Sequence, residues 1–368
     1  MKRSAEAIWV EARNRWQINV QKDGKRKTFT SSLPGRKGKH EAELKADEWL
    51  ESQTEDRRFG EAWEAYVADY KRRVKTETQL SRDSLYRHWI QPYIRKNVKL
   101  AKITPATWQK CIDAAADAGR SRNTISCIRG VISSFCHFCK RNRWKIEVPE
   151  AWEIIIPPAK PKVERHPLGA ADLKRIFEVD TVVKYNWVRP CFYIYAWRLM
   201  ILTGLRRSEL AGLQWADLED GNVLHVRRAI NRLGEITDGK TENAQRYVAL
   251  SHRAVQAIDD QRAMLKREGI ISPWMFPAKD AGHSDTNVIY RAWKFYQKQN
   301  GINCNLHELR HTFISAVKPA LPMALLKQQV GHSDDMDTLG VYGHRMDGDL
   351  AATAATIDQV FDALIDEN

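Results

Sequence analysis

The chain has 368 residues, 43% of them hydrophobic and 29% charged, which is typical of a globular protein with two or three domains. Its longest apolar run, Cys191 to Trp197, is far shorter than the roughly 18 residues of a membrane helix, and no apolar stretch follows Met1-Lys2-Arg3. We therefore expect neither a transmembrane protein nor a signal peptide. Six irregularly spaced cysteines exclude a disulfide scaffold and favour a reduced, cytoplasmic setting.

The net charge of +13 is distributed unevenly and favours a polyanionic partner such as nucleic acid. Residues 1–55 carry +3, residues 56–162 carry +11 and residues 163–368 carry −1. A merely solvated surface predicts an even spread. The asymmetry instead predicts basic DNA-binding modules in the first 162 residues, joined to a domain with another task.

Residues 1–55 predict a small N-terminal domain. Short alternating runs over 8–10, 15–20 and 26–30, with a turn at 22–25, indicate a three-stranded sheet, and a helix is expected over about 39–52. Such a basic sheet can lay its strands in a DNA groove, and the alternative is a cap on the next domain. The candidate DNA-binding residues here are Arg15, Lys25, Arg26 and Lys27.

Residues 56–162 predict a helical DNA-binding domain that ends in a basic, proline-rich linker over 156–162. Helices are expected over about 59–74, 78–93 and 122–143, and a further one begins at Thr104-Pro105, an N-cap followed by proline. The candidate DNA-binding residues are basic and lie outside the apolar stripes: Lys71, Arg72, Arg73, Arg120, Arg122, Arg129, Lys140, Arg141, Arg143, Lys160 and Lys162.

Residues 163–368 predict a third, mainly helical domain with one β island. Strands are expected over 222–228 and 245–250, with the turn Asp238-Gly239-Lys240 between them. The predicted fold class is therefore mainly α with small β elements: a small sheet-plus-helix domain, a helical domain and a mixed α+β domain.

Four short motifs lie in this last region in a fixed order: Thr203 to Leu210, Gly239-Lys240-Thr241 followed by Arg246 to Leu250, His307 to Thr312, and Val330 to Ser333 followed by Val341-Tyr342-Gly343-His344. In this order and spacing they closely resemble the tyrosine recombinases, the phage integrase family. The resemblance covers about residue 165 to the end. The two domains in front match integrases of phages and conjugative elements by architecture.

The resemblance implies a catalytic set. Arg206 and Arg310 would hold the scissile phosphate, a task suited to permanently charged, bidentate guanidinium groups. Lys240 would protonate the leaving 5′ oxygen, and Tyr342 would be the nucleophile that forms a 3′-phosphotyrosyl link. His307, one helical turn before Arg310, and His332 would assist at the same phosphate, and Glu209 would orient the arginine three residues before it. The full set is Arg206, Lys240, His307, Arg310, His332 and Tyr342, with Glu209 behind it.

The resemblance also implies partners and conditions. No cofactor, ATP or metal is expected, because the phosphotyrosyl link conserves the phosphodiester energy. The expected partners are double-stranded DNA at core and arm sites, further copies of the chain in a tetramer held by the C-terminal helix, a host DNA-bending protein and an excision factor. The setting is the bacterial cytoplasm, at the nucleoid.

Simpler interpretations of single residues stay open. Tyr247, Tyr290 and Tyr296 are rival tyrosines, although the last two lie in an apolar helical run and are expected in the core. The Cys136-His137-Phe138-Cys139 run invites a zinc site, but it lacks a second pair of ligands, so core thiols are expected. The apolar stripe from Leu350 to Ile365 fits either a helix on its own domain or one that docks on a neighbouring subunit.

Three other functions remain for comparison. A cellular resolvase-type recombinase would use the same chemistry, but the N-terminal sheet domain argues against it. A type IB topoisomerase shares the catalytic set but acts alone on arbitrary sites. A non-catalytic DNA-binding module would not need two arginines, a lysine, two histidines and a tyrosine in this order.

Overall fold

The computed structural model describes residues 6–22, 25–52, 56–158, 166–219, 222–237, 245–331 and 348–366. Contacts within the chain divide it into two compact units, Met1–Lys162 and Val163–Asn368. Both are built from helices with small antiparallel sheets, which confirms the mainly α fold class. Within the described ranges, no helix is both long and apolar enough to cross a lipid bilayer. The three-domain division stays a prediction.

The first unit begins with a three-stranded antiparallel sheet and one helix, as the sequence predicts. Ile18 and Val20 on the middle strand pack against Ala42 and Ala46 of the helix, and this cluster is separate from the core of the following helices. The helix starts at Gly35, four residues earlier than predicted, directly after Pro34. The elements are β1 (Ile8–Val10), β2 (Arg15–Lys22), β3 (Lys25–Ser31) and α1 (Gly35–Ser52).

The rest of the first unit is a helical bundle around an aromatic core. Phe59, Trp63, Trp108 and Phe135 meet there, with ring centroids 5.1–6.2 Å apart. The predicted second helix is interrupted, because it passes into a five-residue π-helical turn over Tyr86–Ile90. The helices are α2 (Phe59–Lys71), α3 (Thr76–Leu85), α4 (Pro105–Asp117) and α5 (Arg122–Arg141).

Cys136 and Cys139 are buried free thiols in this bundle core, where burial raises the pKa of each. A raised pKa disfavours the thiolate that a zinc ion would need. Nowhere in the described ranges do three or more histidine, cysteine or acidic side chains gather closely enough to hold a metal ion. The two cysteines are packing residues.

The second unit is built around α7, nine of whose ten residues are buried. The predicted β island is present as β10, β7 and β6 in one antiparallel sheet. An additional hairpin, β4 with β5, has no counterpart in the sequence prediction. The elements are α6 (Ala170–Glu178), β4 (Thr181–Lys184), β5 (Trp187–Pro190), α7 (Ile194–Thr203), α8 (Arg207–Ala211), β6 (Leu218–Glu219), β7 (Val223–Val226), β8 (Ala229–Ile230), β9 (Ile236–Thr237), β10 (Arg246–Ala249), α9 (His252–Arg267), α10 (Thr286–Asn300), α11 (Leu306–Val317), α12 (Met323–Val330) and α13 (Asp349–Asp366).

The C-terminal helix α13 packs on its own unit. Ile357, Phe361 and Ile365 are buried in the core, and the ring of Phe361 stacks on Phe313 with centroids 6.2 Å apart. At its outer side, Arg253 of α9 binds the carboxylates of α13. Of the two placements that the apolar stripe allows, this structure contains the intramolecular one.

Candidate active site

Arg206 is positioned by a sharp turn between α7 and α8. Gly204 ends α7 in the left-handed region (φ 69°), and a Cβ there would lie 2.6 Å from the ring of Phe313, so only glycine fits. The chain then turns so that Arg206 caps α8. Its backbone N–H donates to Glu209 Oε2 at 2.9 Å, which fixes the start of this helix.

Glu209 joins two arginines. Its Oε1 accepts from Arg206 Nη1 at 2.7 Å and from Arg246 Nη1 at 3.1 Å, and its Oε2 accepts from Arg246 Nη2 at 2.9 Å. The side chains of Glu209 and Arg246 are only 6% and 7% exposed, whereas that of Arg206 is 38% exposed. Arg246 therefore binds the carboxylate from the protein interior, and the guanidinium group of Arg206 is the one that reaches solvent.

Arg310 comes to the same place from α11. It is almost fully buried, and its Nη1 and Nη2 donate to the carbonyl oxygens of Gly204 at 2.5 Å and Val330 at 2.7 Å. Arg206 Nη2 donates to the next carbonyl, that of Gly331, at 2.8 Å. The two guanidinium groups are thus fixed by consecutive carbonyls at the end of α12.

Among the residues that the structure describes, the cluster has an excess of positive charge, because three guanidinium groups face one carboxylate. Burial lowers the pKa of Arg310, and the charge of Arg206 lowers it further. Burial raises the pKa of Glu209, but the hydrogen bonds and charges of Arg246 and Arg206 outweigh burial and hold that pKa below its usual value. A carboxylate that stays ionised and a crowded set of cations favour the binding of an anion.

Arg246 is a further member of the cluster, outside the predicted catalytic set. Besides binding Glu209, its Nε donates to the Gln329 carbonyl at 2.9 Å, and the Gln329 side chain pairs with both backbone groups of Ala249. β10 is thereby fastened to the end of α12. The available signal was a charged residue at an inward position of a strand, since Arg246, Val248 and Ala249 are all buried.

The other predicted catalytic residues are placed as follows. His307 lies in the first turn of α11, exposed, with its ring 4.8 Å edge-on from His311. Lys240, His332 and Tyr342 lie outside the described residues. The structure thus brings Arg206, Glu209 and Arg310 together, and the catalytic roles of the whole set stay a prediction.

The rival tyrosines have local packing partners. Tyr296 is fully buried and donates to the Val179 carbonyl at 2.8 Å, as expected for a core residue. Tyr290 is half-buried beneath the guanidinium group of Arg207, 5.7 Å from its ring centre. Tyr247 stacks on His225 with centroids 4.1 Å apart.

Most of the predicted DNA-binding residues of the first unit are exposed. Lys27 on β3 stacks over Phe29 and Trp49, and Arg120 stacks over Trp89. Arg15 on β2 and Arg129 on α5 are half-buried. The exposed set with described side chains is Arg26, Lys27, Lys71, Arg72, Arg73, Arg120, Arg122, Lys140, Arg141 and Arg143.

Two of these cations are already partly neutralised. Arg73 and Arg141 both pair with Asp69 of α2, the latter at 3.2 Å. Lys25 begins β3, although its side chain is not among the described ones, and Lys160 and Lys162 lie outside the described residues. The exposed cations lie on β3 of the small sheet and on the outside of the helical bundle, where a polyanion has access to them. Their role in DNA binding stays a prediction.

Two family models match this chain. The model of the phage integrase family matches residues 172–348, and that of the phage integrase N-terminal SAM-like domain matches residues 58–115. Together they cover more than half of the chain. The first range includes every residue of the site described above, and the second lies in the helical bundle.

Individual proteins of the same family are also similar to this chain. The tyrosine recombinase XerC-like protein of Caldanaerobacter subterraneus subsp. tengcongensis is 20% identical over 94% of this chain and 95% of its own length. The tyrosine recombinase XerD of Rhizobium meliloti is 32% identical over 40% of this chain and 45% of its own length. Among solved structures, a lambda integrase dimer bound to a core site superposes with a TM-score of 0.61 at 15% identity, over 94% of this chain and 99% of that one. The Tn1549 transposon integrase, in complex with transposon right end DNA, gives a TM-score of 0.60 at 20% identity, over 80% of this chain and 98% of that one.

Proposed function

This chain belongs to the phage integrase family of tyrosine recombinases, and on that premise we propose that it is a site-specific DNA recombinase that integrates or excises a mobile element. The observation that carries this proposal is the convergence of Arg206 and Arg310 on consecutive carbonyls at the end of α12. Two guanidinium groups held this way stabilise the charge that develops on a phosphate under attack.

In the proposed reaction, the Tyr342 oxygen attacks the scissile phosphorus. The tyrosine hydroxyl gives its proton to His332, the new bond joins the tyrosine oxygen to phosphorus, the bond from phosphorus to the 5′ oxygen breaks, and Lys240 gives the leaving oxygen its proton. His307 and His332 assist at the same phosphate. The reverse attack by a 5′-hydroxyl from a second duplex rejoins the strands and releases the tyrosine. Exchange proceeds one pair of strands at a time.

Glu209 and Arg246 have positioning roles in this scheme. Glu209 holds Arg206 by both its backbone N–H and its guanidinium group, and Arg246 holds Glu209. The carbonyls of Gly204, Val330 and Gly331 use only some of the five N–H donors on each catalytic guanidinium group. On Arg206, whose side chain is 38% exposed, the remaining donors are accessible to a phosphate, whereas Arg310 is almost fully buried.

The partners follow from the same premise. Exposed cations of the first unit bind duplex DNA around the core site, and residues 1–55 bind a separate arm site. The relatives include both Xer recombinases and element-borne integrases, among them the prophage integrase IntR of Escherichia coli and the ICEBs1 integrase of Bacillus subtilis. We base the choice of a mobile-element integrase over a cellular resolvase on the N-terminal sheet-plus-helix domain. One lambda integrase structure is a tetramer on a Holliday junction, and we propose the same assembly here. A host bending protein and an excision factor would set direction, in the bacterial cytoplasm at the nucleoid.

The deciding experiment uses a duplex nicked near the cleavage position, so that the covalent intermediate is trapped. The wild-type chain should accumulate a protein–DNA adduct. Tyr342→Phe, which removes only the hydroxyl, should form none while it binds DNA with near-normal affinity. Arg206→Ala or Arg310→Ala should slow adduct formation by at least about 10²–10³, the usual cost of one lost transition-state donor.

Two outcomes would overturn parts of the proposal. An adduct that persists in Tyr342→Phe would reassign the nucleophile, with the half-buried Tyr290 tested next, because Tyr296 is fully buried. Near-normal single-turnover cleavage by either arginine variant would remove the phosphate clamp from the mechanism.

A further inference from the structure

The hairpin formed by β4 and β5, residues 181–190 and hereafter the ribbon, leaves large apolar side chains in solvent. Tyr185 is 83% exposed, Val188 69%, Trp187 68% and Val183 50%. Single exposed apolar residues are ordinary, but four of them together on one small element mark a contact surface. Nothing in the proposed catalytic mechanism uses this element.

The turn at the tip of the ribbon places an aromatic ring where the backbone disfavours it. Tyr185 and Asn186 form a two-residue turn with φ of 53° and 64°, both in the left-handed region. Asparagine tolerates this conformation and glycine prefers it, whereas tyrosine adopts it at a cost of roughly 1–2 kcal/mol. The ring of Tyr185 lies 5.5 Å from Lys184 Nζ, so the tip combines an aromatic surface with a cation.

The base of the ribbon is firmly held. Gln299 of α10 accepts from the Val183 N–H at 2.9 Å and donates to its carbonyl at 2.5 Å, which closes the outer edge of β4. Val182 packs against the core of the unit, and Pro190 removes one N–H from β5. These features disfavour pairing with a strand of another protein and leave the protruding tip as the part that makes contact.

Charge distinguishes between the possible partners. The ribbon and α10 together contain five Lys and Arg and no Asp or Glu, although residues 163–368 as a whole carry 25 against 26. In a second copy of this chain, residues 1–162 carry +14 and residues 163–368 only −1, so neither part offers a marked excess of negative charge, whereas a polyanion is a good match for such a surface. The five cations are Lys184, Arg189, Arg291, Lys294 and Lys298.

Helix α10 connects the active site to the ribbon. Near its start, Tyr290 lies beneath Arg207, the residue next to Arg206, and Lys294 lies 5.7 Å from the same ring. Lys298 follows Lys294 at i+4 spacing, so the two lysines lie on the same side of α10. Nine residues separate Tyr290 from Gln299, which is roughly 14 Å along a helix, or about four base pairs of DNA.

We propose that the ribbon is a DNA-contacting element of the catalytic unit, with Lys184 and Arg189 on phosphates and Tyr185 and Trp187 against base edges or sugars in a groove. A two-stranded ribbon fits the width of the major groove. Its partner is the duplex beside the cleavage position. This inference rests on the proposed function, which supplies the DNA.

The first test measures how the affinity of the full-length chain for a single core site depends on salt. Lys184→Ala with Arg189→Ala should lower the slope of log affinity against log salt by about two, roughly one for each lost phosphate contact. The matched control, Lys266→Ala with Arg267→Ala, removes the same charge from exposed positions at the end of α9 and should leave the slope unchanged. Equal slopes for wild type and the ribbon variant would overturn the proposal.

The second test is footprinting with Tyr185→Ala and Trp187→Ala. Both positions are exposed, so the variants should keep the wild-type melting temperature and lose protection only within about five base pairs of the cleavage position. If protection is kept while assembly of several copies on a two-site DNA is lost, the ribbon contacts another copy and the proposal is wrong. Covalent trapping by the wild-type chain is measured in parallel. Its failure would count against the proposed function alone, and an unchanged slope or footprint beside normal trapping would count against the ribbon alone.

Discussion

Replacing Arg246 by methionine tests whether a buried residue outside the catalytic set controls the chemistry. The change deletes two hydrogen bonds to Glu209 and one to the Gln329 carbonyl, and it leaves a buried carboxylate held only by Arg206. Breaking one side of a buried ion pair costs about 3–5 kcal/mol. For a unit of this size the melting temperature should fall by roughly 6–20 °C, at about 2–4 °C per kcal/mol.

The effect on cleavage should exceed what lost stability explains. Glu209, no longer held by Arg246, can shift, and it carries Arg206 with it. A displacement of about 1 Å at a transition-state donor costs on the order of 10² in rate. We therefore expect single-turnover adduct formation, measured well below the melting temperature, to slow by about that factor while DNA affinity changes little. Arg246→Lys keeps the charge but not the paired geometry and should fall in between.

The matched control is Arg228→Met. Arg228 pairs with the buried Asp217 at 2.7 and 3.2 Å and donates to the Gly212 carbonyl, so its loss also breaks a buried arginine–carboxylate pair in the same unit. It should lower the melting temperature comparably and leave cleavage at permissive temperature near wild type. If both variants cleave equally fast, Arg246 is a structural residue and its positioning role is refuted.

Three further predictions are independent of that one. The pKa of Glu209 lies below its usual 4.5, so its ionised form stabilises the folded state above that pH, and this stabilisation is lost as the pH falls through the folded-state pKa. The difference in melting temperature between wild type and Glu209→Gln should therefore become smaller from about pH 6 to about pH 3. A difference that stays constant would contradict the ion pairs. Covalent trapping should survive EDTA, and a strict need for a divalent metal would indicate another phosphoryl-transfer mechanism. A fragment of residues 56–368 should still cleave the core site, whereas a fragment of residues 1–55 should give a footprint on a separate duplex. If residues 1–55 give no footprint, this segment is a cap or a protein contact.

Local patterns in the sequence predicted the elements whose burial repeats regularly. Thr104-Pro105 forms the N-terminus of α4, with Thr104 and Thr107 in a reciprocal cap, because this signal is contained in four residues. The alternation over 8–31 predicted β1, β2 and β3 for the same reason. The motif that contains Arg206 also predicted the acidic partner three residues later, and the two side chains meet.

Features that depend on distant contacts were not predictable in this way. Arg246 lies in the second sequence motif and at an inward strand position, but its partners are 37 and 83 positions away and could not be identified from that local pattern. The ribbon lacks the usual alternation, since its strands are largely exposed, and its anchor is a glutamine 116 residues further along the chain. The placement of α13 on its own unit depends on the Phe361–Phe313 stack and on Arg253, neither of which is local.

The site achieves its geometry with backbone groups rather than with a dense set of acidic side chains. If carboxylates alone held Arg206 and Arg310, the charge available to a phosphate would be cancelled where it is needed. Carbonyls of Gly204, Val330 and Gly331 orient the guanidinium groups while carrying no net charge. Glu209, the one carboxylate of the cluster among the described residues, is shared with Arg246, so this part of the cluster keeps its excess of positive charge. Arg206, whose side chain is 38% exposed, therefore presents donors already in place to a scissile phosphate, and a preset donor is the condition for strong electrostatic stabilisation of the transition state.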